Sequence, residues 1–305
     1  MSSKVSYSII GYGVIGRAVY QLFSSAGFPD PVIYDPMKGY FDKTAFSADI
    51  IFVCVPTPSA RAFVSLTNGK PLSMTYVESV ICDIACGSEA RNFDSRNSVV
   101  VICSTLQPGT ADRLAKEHKV RIVVQPEYYG ESVAHPLTDL SKQPFLILGG
   151  EKEDVDKVIR LYQRVYNANI RIRRVSRLEA EVIKVSENRA IAWKVAQCQE
   201  LYDACEAAGI DYEVVRQAVY GDDPRFNLWF TFVYPDRGFH SKCIPKDVYA
   251  WEAWARGLGV NTGMTSAILA RNEEWIKGEA RSYGNPKRVE TVRDSRDAGE
   301  SGGEA

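Results

Sequence analysis

The heptapeptide Ser241-Lys-Cys-Ile-Pro-Lys-Asp247 places Cys243 three residues ahead of a lysine and four ahead of a carboxylate. Upstream, Glu181-Val-Ile-Lys184-Val-Ser-Glu-Asn188 sets a lysine and an asparagine four apart in a stretch that reads as helix. At that spacing the two side chains share one helix face and can reach the same oxygen atom. An ammonium and an amide can stabilise a developing oxyanion, and a thiolate can attack a carbonyl carbon. Near the N-terminus, Gly11-Tyr-Gly13-Val14-Ile15-Gly16 has the pattern of a dinucleotide-binding turn. A nicotinamide site, a thiol nucleophile and a Lys/Asn pair together point to an oxidation through a covalent thioester. Taken singly, each has a plainer reading: a solvated helix face for Lys184 and Asn188, a small buried hydrophobe for Cys243.

The glycine pattern has the right context, because it follows a strand, opens a helix and precedes Asp35 at the end of the second strand. Gly11 permits the tight turn, Gly13 lets the backbone approach a pyrophosphate, and Gly16 lets the helix pack on the sheet. Val14 and Ile15 open the helix, whose N-terminus supplies N–H donors and partial positive charge. Asp35 can accept hydrogen bonds from ribose hydroxyls and repels a 2′-phosphate, so NAD is preferred to NADP. Val55-Pro-Thr57-Pro ends the third expected strand, where a loop lining the cofactor belongs.

The elements that must position these residues alternate in the first half. Val5–Ile10, Pro31–Tyr34, Ile50–Val55, Ser98–Cys103, Arg121–Val124, Pro144–Leu148 and Asn169–Val175 read as strands. Their near-continuous apolar character suits parallel strands buried on both faces. Val14–Ala26, Thr75–Arg91, Thr110–His118 and Asp154–Tyr166 read as helices. The expected fold class is α/β, a Rossmann-type doubly wound parallel sheet over residues 1–175. An all-helical domain follows over 176–283, built on a long central helix from Arg177 to Ala208, which contains no proline or glycine. Gly209 stops that helix, and irregular chain is expected over Asp222–Ile244. Residues 284–305 read as a disordered polar tail.

Composition narrows the function classes. The chain has 305 residues, 45% hydrophobic and 25% charged, with a net charge of −1. That balance gives no electrostatic case for nucleic acid or an anionic membrane, and no apolar run is long enough to span a bilayer. Met-Ser-Ser-Lys runs directly into a strand, so no signal peptide is expected. The seven cysteines are odd in number and lack the spacing of a secreted framework. Cys82 and Cys86 sit four apart, but no second pair or histidine cluster completes a zinc site, so no metal is expected. A reducing, cytoplasmic setting follows.

Several motifs in a fixed order carry a resemblance: Gly11–Gly16, Val55–Pro58, Ser104-Thr105 with Pro108-Gly-Thr110, Pro126-Glu127 with Glu131, Pro144–Gly149, Lys184 with Asn188, and Cys243-x-Pro-Lys246-Asp247. In this order the chain resembles the UDP-glucose/GDP-mannose dehydrogenase family, which oxidises a sugar-nucleotide alcohol to the acid with two NAD. The resemblance implies that Cys243 attacks the aldehyde made by a first hydride transfer. The thiohemiacetal then loses a second hydride, and water cleaves the thioester. It implies that Lys184 and Asn188 bind substrate and stabilise the oxyanion. Asp247 positions a water or shuttles protons, and Glu127 contacts substrate and assists hydrolysis. Thr105, Glu131 and Lys246 approach the cofactor or order the site, and Arg225 reaches a neighbouring subunit's sugar nucleotide. A homodimer through the 177–208 helix is implied as well.

Two departures stand out. The family loop Gly-x-Gly-(Phe/Tyr)-Gly-Gly-x-Cys is here Asp236-Arg-Gly238-Phe-His240-Ser241-Lys-Cys243, which keeps only Gly238 to close its backbone on a substrate. Arg237 and Lys242 are expected to compensate by holding an anionic group. The family's usual C-terminal UDP-binding domain is also expected to be lacking. Three readings therefore stand: a nucleotide-sugar dehydrogenase, with UDP-glucose the default substrate; a two-electron 3-hydroxyacid-type dehydrogenase; and a non-catalytic NAD-binding or scaffold protein.

Overall fold

The computed structural model describes residues 5–58, 72–90, 97–130, 137–166, 170–239, 241 and 243–278, with the side chains of 87–90 left out. The strands are short apolar runs: β1 (Tyr7–Ile10), β2 (Val32–Asp35), β3 (Tyr40–Phe41), β4 (Ile50–Val53), β5 (Val99–Ile102), β6 (Ile122–Val124), β7 (Phe145–Gly149) and β8 (Arg171–Val175). They form one sheet in the order β3-β2-β1-β4-β5-β6-β7-β8. β1, β4, β5 and β6 are buried at every position, as continuous apolar runs in the middle of a covered sheet must be. β8, Arg-Ile-Arg-Arg-Val, has no fully buried position and forms one edge.

Alternate residues of each central strand face opposite layers. Ile10, Ile51, Val53, Val100, Ile102 and Val124 join one core with residues of α2 (Thr75–Ala90), α3 (Thr110–His118) and the start of α5 (Arg177–Ala208). Ile9, Ile50, Phe52, Val99, Val101 and Val123 join the other with residues of α1 (Val14–Ser25) and α4 (Lys152–Tyr162). Helices thus cover both faces, and the sheet is of the doubly wound Rossmann type.

The sheet is mostly parallel, as expected of a doubly wound fold, and carries two local reversals. β3 pairs antiparallel with β2 through a tight turn at Pro36–Gly39. β7 pairs antiparallel with β6 at Val124↔Gly149, and β8 then runs parallel to β7. A parallel return needs a crossover of a dozen or more residues, usually a helix. Among the described residues between β6 and β7 the only helical piece is a single 3₁₀ turn, Leu140–Lys142. The other differences are at element ends: α4 starts at Lys152 and stops at Tyr162, where Asp154–Tyr166 was expected. α5 spans Arg177–Ala208 as read from its composition. The tail at 284–305 lies outside the described residues.

The described residues contact one another in two compact units, one within 5–189 with 246–261 and one within 190–245 with 262–278. In the second, Cys198, Cys205, Tyr212 and Tyr220 form a small core. They come from the later turns of α5, from α6 (Tyr212–Arg216) and from a π-helical turn at Gln217–Asp222. The irregular chain that follows runs to α7 (Ile244–Gly257), and α8 (Gly263–Lys277) completes the helices. No described helix is long and apolar enough to cross a membrane.

One long-range contact fixes the start of α3. Thr110 N–H reaches the Gln107 carbonyl at 3.0 Å, but Gly109 at the cap has no side chain to accept from the other donors of the first turn. Glu181 of α5 supplies both oxygens, accepting from Gly109 N–H at 2.6 Å and Ala111 N–H at 2.8 Å. The carboxylate is 1% exposed. Replacing it with alanine leaves the buried Ala111 N–H unpaired, at about 1–3 kcal/mol for the unmade bond, and opens the Gly109 N–H to solvent. Glu181→Ala is therefore expected to lower the free energy of denaturant unfolding by at least about 1 kcal/mol. An unchanged midpoint would mean the Ala111 N–H finds another acceptor.

Candidate active site

The glycine turn has the geometry its pattern requires. Gly11 takes φ +90°, and a Cβ there would sit 2.8 Å from the Cys54 carbonyl carbon. A Cβ on Gly16 would overlap the Gly11 carbonyl oxygen and press on Ile9, so only glycine lets α1 lie this close to β1. Gly13 precedes α1, no side chain caps that helix, and a Cβ on Gly13 would meet nothing within 4 Å. The first-turn donors at Val14 and Ile15 thus have no side-chain cap, and the backbone at Gly13 can be approached closely. Asp35 Oδ2 accepts from the Tyr12 N–H at 2.8 Å, and Lys38 Nζ donates to the Tyr12 carbonyl at 2.7 Å. The turn is held against the end of β2 by these two bonds.

Beyond β4, the Val55 carbonyl accepts from Ser104 Oγ at 2.6 Å, which ties the loops after β4 and β5 together. Thr57 is buried and Thr105 is half-buried on those loops. Glu131 lies outside the described residues.

A second cluster, within the same unit, is made by the loop after β6, the first turns of α5 and the first turn of α7. Asp247 is fully buried, with Oδ2 2.5 Å from Asn188 Nδ2 and Oδ1 2.7 Å from Lys246 Nζ. Both carboxylate oxygens are thus engaged, and Asn188 keeps its other amide hydrogen and Oδ1 for a further partner. One turn before Asn188, Lys184 is largely buried, with its Nζ 4.9 Å from the Tyr128 ring centroid and 3.4 Å from Glu187 Oε2. Glu127 is 7% exposed and accepts from Gln125 Nε2 at 2.6 Å through Oε1. Its Oε2 is buried without a hydrogen-bond partner among the described residues. Burial raises the Glu127 pKa to about 7, against the Gln125 bond and the Lys184 charge, which lower it. Burial also raises Glu187, offset by Lys184.

The structure therefore brings Glu127, Lys184, Asn188, Lys246 and Asp247 together. Sequence reasoning missed Gln125, Tyr128 and Glu187 as members of this cluster. Glu187 carried a signal, since it lies three residues from Lys184 inside the same motif. Gln125 and Tyr128 flank Pro126-Glu127 and carried none beyond that adjacency.

Cys243, Arg225 and Gly238 belong to the second unit. Cys243 is an exposed free thiol immediately before α7. Ser241, where the family loop has glycine, accepts from the Ile244 N–H at 3.2 Å and so caps that helix. Gly238 precedes Phe239, whose N–H and carbonyl are both held by Asn272 at 2.7 and 3.0 Å. Arg225 is exposed and paired with Asp223 at 2.6 Å. Arg237, expected to hold an anionic group, instead pairs with Asp203 at 2.6 Å and bonds Gln199. Lys242 and His240 lie outside the described residues.

Residues 37–168 match the NAD binding domain of the UDP-glucose/GDP-mannose dehydrogenase family, and residues 178–274 match that family's central domain. Over 248 residues the chain is 29% identical to a GDP-mannose 6-dehydrogenase of Pseudomonas aeruginosa, covering 78% of this chain and 53% of that protein. A UDP-glucose 6-dehydrogenase of the same organism is 27% identical over 237 residues, covering 74% and 48%. The chain thus spans about half the length of the curated relatives it matches. Among solved structures, a UDP-glucose dehydrogenase from Pyrobaculum islandicum superposes with a TM-score of 0.70 at 23% identity, covering 89% of this chain and 68% of that one. A ternary complex of GDP-mannose dehydrogenase from Pseudomonas aeruginosa gives 0.57 at 24% identity, covering 89% and 69%. These likenesses show the fold. The open space at Gly13, the uncapped α1 and Asp35 fit the cofactor of the matched domain, NAD.

Asp247 is the residue on which the second cluster turns. Asp247→Ala strands the Lys246 ammonium and the Asn188 amide, and breaking a buried pair from one side costs about 3–5 kcal/mol. A thermal and denaturant melt of this variant is expected to show a loss of that size. A loss below about 1 kcal/mol, the range of an exposed pair, would contradict the buried arrangement.

Proposed function

The chain belongs to the UDP-glucose/GDP-mannose dehydrogenase family, and from that premise we propose that it oxidises the primary alcohol of a nucleotide sugar to the carboxylate, reducing two NAD. The observation that carries this reading is the buried cluster of Lys184, Asn188, Asp247 and Glu127. It sets an ammonium and an amide beside a carboxyl group poised to exchange protons near neutrality. The cofactor, when bound, accepts hydride.

In the proposed sequence, the substrate hydroxyl loses its proton and its carbon loses hydride, leaving an aldehyde. Cys243 Sγ adds to the aldehyde carbon to give a thiohemiacetal. Loss of a second hydride from that carbon, with the hydroxyl proton, leaves a thioester. Water then adds, the C–S bond breaks, and carboxylate and free thiol are released. Lys184 and Asn188 stabilise the oxyanion at each stage. Asp247 holds Asn188 so that its free hydrogen is available, and Glu127 draws the proton from the attacking water. Gly11, Gly13, Val14, Ile15, Gly16, Asp35, Val55, Thr57, Thr105, Glu131 and Lys246 bind or border the cofactor. Gly238, and Arg225 of a second copy, contact the sugar nucleotide. In this reading residues 1–175 carry NAD, residues 176–283 form the helical domain, and two copies pair through the 177–208 helix. The relatives' names divide between GDP-mannose and UDP-glucose. UDP-glucose is the first substrate to try.

Purified protein with NAD and a panel of UDP-, GDP- and TDP-sugars is expected to yield two NADH per sugar with one substrate. In Cys243→Ser, acid formation is lost and the yield falls to one NADH or none. NAD binding without turnover on any sugar nucleotide would sink the proposal. The pH dependence follows from Glu127, which must be ionised to accept a proton. With its pKa at about 7, turnover is expected to fall as pH drops through that value. Glu127→Gln removes this limb and lowers turnover by about 10²- to 10⁴-fold. A limb that survives in Glu127→Gln belongs to another group.

A further inference from the structure

Three buried side chains form a line, of which the proposed reaction uses only Glu127. Tyr162, on the inner face of α4, is 2.7 Å from Gln125 Oε1 through its hydroxyl, and Gln125 Nε2 is 2.6 Å from Glu127 Oε1. Tyr162 is 1%, Gln125 2% and Glu127 7% exposed. The far oxygen of the carboxyl, Oε2, has no partner among the described residues.

The line can run in only one direction at low cost. In one polarity Tyr162 O–H donates to Gln125 Oε1, and the amide N–H then donates to Glu127 Oε1. In the other, the amide is turned over: Glu127 donates a proton from Oε1, and Gln125 donates to the tyrosine oxygen. That second polarity exists only while Glu127 is protonated, since an ionised carboxylate has no proton to give. On ionisation it would set Gln125 Oε1 against Glu127 Oε1, two acceptors with no hydrogen between them. The first polarity wins, and it commits Glu127 Oε1 to accepting.

From this, the geometry points to Gln125 and Tyr162 as positioning residues that make Oε2 the single proton-exchanging atom of Glu127. When Glu127 is protonated the proton sits on Oε2, and when it is ionised Oε2 is the oxygen open to a water or substrate proton. The inference rests on the proposed role of Glu127 for its catalytic consequence, but not for its geometry. The charged and titratable groups that face Glu127 are Lys184 from α5, Cys103 just after β5, Tyr162 at the end of α4, Tyr166 just beyond it, and neighbouring Tyr128. Of these, Lys184 favours the ionised form. The Gln125 bond does so as well, so its loss must move Glu127 toward protonation.

The test is an infrared difference titration of the protein without substrate, following the carbonyl stretch of protonated Glu127 and assigning it by its disappearance in Glu127→Gln. The wild-type protein is expected to show one band, shifted down by the Gln125 N–H on Oε1. Gln125→Leu is expected to move the band to higher frequency and the titration midpoint to higher pH. Tyr162→Phe frees the amide to turn, and is expected to split or broaden the band. In an active preparation, Gln125→Leu lowers turnover about tenfold at neutral pH with KM unchanged, and its acid limb moves to higher pH. If Gln125→Leu does not fold, Tyr162→Phe decides alone, since it removes one oxygen and keeps the ring. A band and midpoint unmoved in the variants that fold would overturn the relay. Moved bands in a protein that oxidises no nucleotide sugar would uphold the relay and defeat the proposed function instead.

Discussion

The Asp247 carboxylate, fully buried between Asn188 Nδ2 and Lys246 Nζ, is the contact on which the candidate site depends. Burying a carboxylate is strongly unfavourable unless its charge is paired and its oxygens are bonded. Both conditions are met here, and meeting them joins α5 to α7. The apolar contacts around the pair follow the same junction. Val185 of α5 and Ala250 of α7 enter one core with the sheet, and Gln107 reaches from the loop after β5 to the Ala250 carbonyl at 3.0 Å. The loop after β5, α5 and α7 are thereby brought together, and they carry Thr105, Lys184 and Asn188, and Lys246.

Around that junction the charges are balanced. Lys184 and Lys246 face Glu127, Glu187 and Asp247, with Glu127 and Glu187 raised by burial and Asp247 ion-paired to Lys246. In such surroundings a carboxyl group with a pKa near 7 can both hold and release a proton under ordinary conditions. The same low-polarity setting makes the Lys184 ammonium a stronger stabiliser of an oxyanion than it would be in water. Acid–base capacity and electrostatic stabilisation are therefore two consequences of one act of burial.

Much of this was legible in the sequence, for identifiable reasons. The central strands announce themselves because a strand covered on both faces is apolar throughout. α5 was bounded correctly because nothing between Arg177 and Ala208 breaks a helix and Gly209 ends it with φ +69°. The reversal of β7 was not legible, since an apolar pentapeptide reads the same in either direction and only its connection decides. Glu181 capping α3 and Tyr162 meeting Gln125 were invisible because their partners lie far away in the chain. Arg237 misled for the opposite reason: an arginine beside a loop suggests a ligand, whereas Asp203 already neutralises it. Glu187 was legible as well, since a spacing of three on one helix sets it beside Lys184.

In the proposed reaction the oxidation passes through a bond between Cys243 Sγ and the substrate carbon. It is tested most directly by slowing hydrolysis and weighing the protein. The Glu127→Gln variant, given NAD and the nucleotide sugar that the wild-type chain oxidises, should accumulate an acyl group on the Cys243 peptide, identified by intact-mass and peptide mass spectrometry and released by hydroxylamine. NADH formed with no mass added at Cys243, under conditions where the acid product is also made, would contradict it.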